Sequence, residues 1–236
     1  FNETHGQPTY SNKDGQGVVK FDGQSIIWTG KSLYPDFSNY TILSVSRYTG
    51  GANNRVISDV AANNWLFGYH LGPGAEKTGG YFDTFYAWGW LTNNSSRKAD
   101  QNWHLHVGTI NDSDYAQGWV DQTNMVDTPT GAGSPHQPKL LALGGGRWST
   151  TSGFAEMSKA EVAELIVFDR VLETSEIAQA ENYLIGKWKL PLTMQNPTNA
   201  LFSMDGNGTL TTTHSYDYET DDLNYTVTVW ATDQLG

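Results

Sequence analysis

His104 and His106 stand two apart in the run Trp103-His104-Leu105-His106-Val107. In a strand, that spacing puts both rings on one face. Two imidazoles on one face can hold zinc or copper, or they can pack and hydrogen-bond. No third ligand of a suitable type is close in sequence, so the packed pair is the expectation; His5, His70, His136 and His214 are scattered. The best acidic strand is the run from Glu161 to Asp169, which also carries Glu164. Retaining glycoside hydrolysis needs two carboxylates about 5–5.5 Å apart in one cleft. Glu161 and Glu164 have opposite parity, so a regular strand turns them to opposite faces. Glu164 also sits in an apolar row with Val162, Ile166 and Phe168, which predicts a structural acid anchored by backbone or by an arginine. No Ser-His-Asp order stands out. These residues together predict no catalysis.

The segment Tyr81-Phe82-Asp83-Thr84-Phe85-Tyr86-Ala87-Trp88-Gly89-Trp90-Leu91 is the richest in ligand-binding potential. Alternation assigns Phe82, Tyr86, Trp88 and Trp90 to one face, Phe85 and Leu91 to the other. One face then packs in a core, and the other offers aromatic rings on which sugar rings stack. Gly144-Gly145-Gly146-Arg147-Trp148 lacks the Lys-Ser/Thr of a phosphate cradle and reads as a rim turn, with Trp148 a further contact. Tyr86, Trp88, Trp90 and Trp148 are the candidate ligand-binding residues.

The elements that must position these groups are short alternating runs between Gly, Asn and Asp. They fall at residues 17–21, 41–46, 55–58, 65–70, 81–91, 103–109, 118–120, 139–143 and 162–168. Strands of this length with polar turns predict an all-β sandwich or jelly roll rather than βαβ units. One segment has helical period: Thr174 as N-cap, Glu176 at the positive end of the dipole, and Ile177, Ala180, Leu184 and Trp188 on one face, stopped by Pro191. It is expected on the edge or back of the sandwich. Residues 191–199 read as a linker. Beyond it, 200–204, 209–213 and 225–232 read as strands, the first two joined by the tight turn Asp205-Gly206-Asn207-Gly208.

The chain has 236 residues, a formal charge of −11, 17% charged and 13% aromatic residues, and no cysteine. That composition excludes coiled coils, disordered tails, thiol chemistry and disulfides. The negative charge disfavours nucleic acid and anionic membranes, and no apolar run is long enough to span a bilayer. The chain opens on Phe1 with no signal peptide, which predicts a processed or trimmed piece. Sequons begin at Asn2, Asn39, Asn93, Asn94, Asn111, Asn207 and Asn224 and point to an extracellular glycoprotein.

Two stretches resemble known families. Residues 163–172, from Ala163 to Leu172, with the Thr174 helix and Tyr183-Leu184-Ile185-Gly186-Lys187-Trp188 after them, resemble the closing strand, helix and tail of laminin-G-like domains. These belong to the concanavalin A-like lectin/glucanase superfamily. Trp103-His104-Leu105-His106-Val107, followed by Gly118-Trp119-Val120-Asp121, is similar to that family's central hairpin, and Val19-Lys20-Phe21-Asp22-Gly23 to its opening strand. The resemblance implies a concanavalin A-like jelly roll over residues 1–190. Residues 200–236 resemble the second half of a cadherin-like repeat: Phe202-Ser203-Met204-Asp205, then Asp217-Tyr218-Glu219, then Tyr225-Thr226-Val227-Thr228-Val229-Trp230-Ala231-Thr232-Asp233. That resemblance implies calcium ligands at Asp217, Glu219 and Asp233; these residues read equally as solvated turn acids, as do Asp221 and Asp222. Half a repeat leaves strand edges open, which predicts completion by a neighbouring segment or by self-assembly.

The expected function is a non-catalytic module of a larger extracellular or cell-surface protein, working in adhesion, glycan recognition or a surface filament. Its partners would be glycans or neighbouring surface proteins. The alternatives are a glycoside hydrolase-like enzyme or its binding module, and a glycosylated, self-assembling structural spacer.

Overall fold

The computed structural model describes residues 3–32, 39–50, 55–61, 64–70, 81–87, 89–92, 97–98, 100–130, 136–146, 156–195, 202–204 and 209–212. Trp88, Trp148, Asn2, Asn93, Asn94, Asn207, Asn224, Asp217, Glu219, Asp233, the turn at 205–208 and the strand expected at 225–232 lie outside them. The chain divides into two compact units, Phe1–Gln195 and Asn196–Gly236.

The first unit is an all-β sandwich of two antiparallel sheets with one helix. Its strands are β1 (Glu3–His5), β2 (Thr9–Lys13), β3 (Gln16–Asp22), β4 (Ile26–Trp28), β5 (Tyr40–Gly50), β6 (Ile57–Asp59), β7 (Trp65–His70), β8 (Tyr81–Ala87), β9 (His104–Ile110), β10 (Tyr115–Val120), β11 (Thr123–Pro129), β12 (Leu141–Leu143) and β13 (Lys159–Phe168). One sheet runs β1-β4-β12-β6-β7-β8, the other β11-β10-β9-β5-β13-β3-β2. Between them lies a core of Phe21, Tyr40, Ile42, Trp65, Phe67, Phe85 and Ile110, with Val162. The opposite face of the seven-stranded sheet carries Leu43, Val45, Leu105 and Val107, and helix α1 (Thr174–Trp188) covers it through Leu184, Ile185 and Trp188. With both faces covered, β5 and β9 are buried along most of their length, and their sequence is correspondingly rich in β-branched and apolar residues.

The helix lies on the back of the sandwich as expected, but its N-cap is Glu173 rather than Thr174. The Glu176 carboxylate accepts from the Glu173 backbone N–H at 2.9 Å and from both terminal nitrogens of Arg170 at 2.7 Å. The bond to Arg170 pulls Glu176 down to about 2. This reciprocal cap outcompetes the threonine hydroxyl one residue later. At the other end Lys189 turns left-handed at φ 46°, and the Leu190 N–H closes on the Ile185 carbonyl at 3.0 Å before Pro191. Residues 191–195 fold back on the helix: Asn182 and Gln195 exchange two hydrogen bonds at 2.6 and 2.7 Å.

Strands β1, β2 and β11 carry too few apolar residues to announce themselves: β2 is Thr-Tyr-Ser-Asn-Lys, and in β11 only Val126 is buried. β4, Ile-Ile-Trp, is apolar but only three residues long, too short to show a period. β2, β11 and β1 lie at sheet edges, where one neighbour suffices and alternation fades. The second unit contributes the hairpin β14 (Phe202–Met204) and β15 (Leu210–Thr212), in the register Met204↔Leu210.

Candidate functional site

Register assigns the aromatic segment to its faces. β7 and β8 pair Phe67 with Phe85 and Leu66 with Tyr86. Phe67 and Phe85 fill the core, their ring centroids 5.1 Å apart and nearly perpendicular. Tyr86 therefore points to the outer face of the six-stranded sheet, in the row Leu66, Ser58, Ala142 and Trp28. After β8 the chain doubles back and Trp90 bridges to Tyr86. Their rings meet edge-to-face at 4.9 Å, and Trp90 also lies 5.4 Å from the His70 ring. Both Tyr86 and Trp90 are partly exposed.

Phe82 departs from the alternation. A register shift between Gly68 and His70 inserts one extra residue in β8, so Phe82 turns inward and stacks on His104 at 3.9 Å and 13°.

Beneath the aromatic pair sits an ionic group that the sequence does not announce. Arg55 is 3% exposed. Its guanidinium is bound to the Glu156 carboxylate, to the Asn64 side-chain oxygen at 2.7 Å and to the Trp65 carbonyl at 3.3 Å. His70 Nε2 lies 3.8 Å from Glu156. Burial pushes the Glu156 carboxyl up, but His70 and Arg55 outweigh it and hold the acid below its usual range. The partners come from segments about a hundred residues apart, and no local spacing reveals them. The result is a buried arginine that fixes the partly exposed Glu156 and His70 beside aromatic rings, groups suited to hydroxyl-bearing rings that stack and hydrogen-bond.

His104 and His106 share the inward face of β9. His106 is buried, its ring edge-on to Phe67 and Tyr69, with Nε2 2.7 Å from the Phe82 carbonyl. Burial, with His104 beside it, lowers it to about 4. His104 lies between two carboxylates, Nδ1 at 2.6 Å from Asp121 and Nε2 at 3.0 Å from Asp100. Burial alone would depress His104; the two acids outweigh it and hold it above its ordinary value. Among the described residues no group of three or more His, Cys, Asp or Glu is arranged to hold a metal ion.

Glu161 and Glu164 do not face opposite ways. A bulge in β13 between Val162 and Glu164 resets the parity, and both acids lie on the helix side of the sheet. Glu161 is bound to Arg47 at 2.6 Å, Glu164 to Lys187 at 2.9 Å and to the Trp188 indole N–H at 2.6 Å. Both are tied into cross-links between elements, and Val162 leaves the apolar row for the core.

Of the sequons, Asn39 and Asn111 are described and partly exposed. The Asn111 side-chain oxygen accepts from Ser113 and Tyr115 at 3.0 and 2.9 Å and shapes the turn into β10.

No helix among the described residues is long and apolar enough to cross a membrane. No family model matches the chain, and no curated protein is similar to it in sequence. Solved structures do resemble it in fold. Domain 4 of AbnA, a GH43 extracellular arabinanase from Geobacillus stearothermophilus, in complex with arabinotriose, aligns with a TM-score of 0.52 and 12% identity over 73% of this chain and 80% of that one. The binding domain of botulinum neurotoxin DC aligns at 0.48 and 12% identity, over 77% of this chain and 46% of that one. A mutant Trypanosoma rangeli sialidase aligns at 0.44 and 12% identity, over 73% of this chain and 28% of that one. The last two are longer chains of which this one spans less than half. The chain thus shares the β-sandwich fold of the arabinanase domain.

Proposed function

We propose that the chain is a non-catalytic glycan-recognition module of a larger extracellular or cell-surface protein. The observation that carries this is the Tyr86–Trp90–His70 ring cluster over the Arg55–Glu156 pair on the outer face of the six-stranded sheet. Rings supply stacking, and the partly exposed His70 and Glu156 supply directional polarity, with the buried Arg55 fixing Glu156 from within. A formal charge of −11 favours neutral over acidic sugars. Glu161 and Glu164, the acids best placed in sequence for hydrolysis, are committed to structural bonds. A glycan-array screen of the whole chain, with calcium and with chelator, tests the reading: binding to a defined neutral glycan class supports it, and silence under both conditions refutes it.

A second reading has the module appended to a carbohydrate-active enzyme. What favours it is the shared fold with a domain of an extracellular arabinanase that was solved with arabinotriose. In either setting the laminin-G-like resemblance names the sandwich. The cadherin-like resemblance gives the tail a role in adhesion or self-assembly, with calcium on Asp217, Glu219 and Asp233. Calcium-dependent change in the assembly state of the full chain tests that role, and an unchanged state with chelator refutes it.

A further inference from the structure

A cavity of about 440 Å³ opens on the other side of the sandwich from Tyr86 and Trp90. It lies on the helix side of the seven-stranded sheet, where β9 begins and the chain leaves α1. Trp103, Leu190, Pro191 and Leu192 give it an apolar wall; Gln101, Asn102, Lys13, Arg47 and Asp121 give it a polar rim. Its volume falls in the range of small-molecule sites, which runs from about 300 to 1,000 Å³.

The walls of this cavity are held in place. The Arg47 guanidinium lies 5.0 Å from the Trp103 ring centre and the Lys13 ammonium 5.6 Å, and these cation–π contacts hold the indole in place. Asp121 is clamped by His104 at 2.6 Å and by the Leu105 backbone N–H at 3.0 Å. Asp121 and Gln122 form the two-residue β10–β11 turn with φ of 48° and 63°, the paired left-handed geometry that matches the twist of the flanking strands and fixes where both side chains start. Gln122 uses its side chain to hold the Thr193 carbonyl at 2.8 Å, pinning the strap that closes one side of the cavity.

The chemistry of the rim selects a ligand class. Lys13 is already paired with Asp14 at 2.7 Å and Arg47 with Glu161 at 2.6 Å, so an ionic ligand gains little charge it could neutralise. The exposed Gln101 offers an amide donor and acceptor beside the apolar wall, and Asn102, whose side-chain nitrogen donates one bond to Asp100 at 2.8 Å, offers its second N–H and its oxygen. Hydroxyl groups, which both donate and accept, match that rim. We infer that this cavity is a second saccharide site, taking a neutral sugar ring through Trp103, Gln101 and Asn102, independent of the Tyr86–Trp90 face. It extends the glycan-recognition reading and rests on it.

The test is amide and indole NMR of the labelled chain, titrated separately with glucose, galactose, mannose and arabinose to roughly millimolar concentrations. The expected result is a saturating shift of the Trp103 indole N–H and the Asn102 side-chain amide with one of these sugars. It persists in Trp90→Ala and weakens about tenfold or more in the Gln101→Ala/Asn102→Ala double variant, whose positions are exposed and leave the sandwich intact. Shifts confined to Trp90 and His70 overturn the second site and leave the first standing. Trp103 shifts unchanged in the double variant overturn the assigned contacts, and silence at Trp103 with all four sugars overturns the second site, while the reading beneath it stands or falls on the array screen.

Discussion

Glu181 is 3% exposed on the buried side of α1, beside Leu184 and Ile185. Among the described residues its carboxylate accepts from the Gln195 side-chain amide at 3.2 Å. Burial pushes its carboxyl from an ordinary 4.5 up to about 7. An acid whose folded value is raised holds its proton in the native state after the unfolded chain has released it. Its stability contribution is therefore full below about pH 4.5 and declines as pH rises toward 7. Over that interval the displacement of about 2.5 in pKa is worth about 3 kcal/mol. Glu181→Gln removes the ionisation and keeps an oxygen for Gln195. The variant should match the wild type near pH 4.5 and exceed its unfolding free energy by about 3 kcal/mol near pH 8. Urea denaturation of both proteins at the two pH values measures this difference directly, and other titrating groups cancel. A stability difference that is the same at both pH values would refute the reasoning, because it would mean that Glu181 ionises in the folded state as freely as in the unfolded one.

Three further perturbations follow from the packing. Gly144 has φ 90° and a methyl group there would overlap the Phe21 ring; Gly144→Ala should cost about 3 kcal/mol in chemical denaturation, combining left-handed strain with overpacking. His104→Ala leaves Asp121 partly buried without its imidazole and should cost about 3 kcal/mol at neutral pH. Because the folded His104 is raised, its contribution is complete below about pH 6.5 and fades as pH climbs through the raised value, so the gap between variant and wild type should narrow on going to about pH 9 in the same assay. Gln122→Gly relieves a left-handed side chain but releases the Thr193 strap. Global stability should change by about 1 kcal/mol or less, while amide hydrogen exchange at residues 192–195 should rise clearly.

How much of this was legible beforehand depends on whether the signal is local. The runs at 41–46, 65–70 and 103–109 became β5, β7 and β9 because their apolar residues recur over several positions. The helix was visible in the spacing of Ile177, Ala180, Leu184 and Trp188 for the same reason. Bulges were not visible, and each reversed a face: one sent Phe82 into the core against His104, the other placed Glu161 and Glu164 on the same side. A bulge depends on the register of the partner strand, which a single run of sequence does not contain. Tyr86 and Trp90 could be nominated from alternation, whereas Arg55, Asn64, His70 and Glu156 could not, since their association exists only after β7, β8 and the segment before β13 have come together. In sequence Trp103 belongs to a motif, and its cavity is closed by a strap that the composition presents as a linker.

The central claim is that the outer face of the six-stranded sheet binds glycan through Trp90 and Tyr86. The most direct measurement is calorimetric titration of the tightest glycan found by array screening into the wild type and into Trp90→Ala, with melting curves of both. The account predicts measurable affinity for the wild type and a loss of tenfold or more, about 1.4 kcal/mol, in a variant that still melts cooperatively. Equal affinity in the two proteins would contradict it.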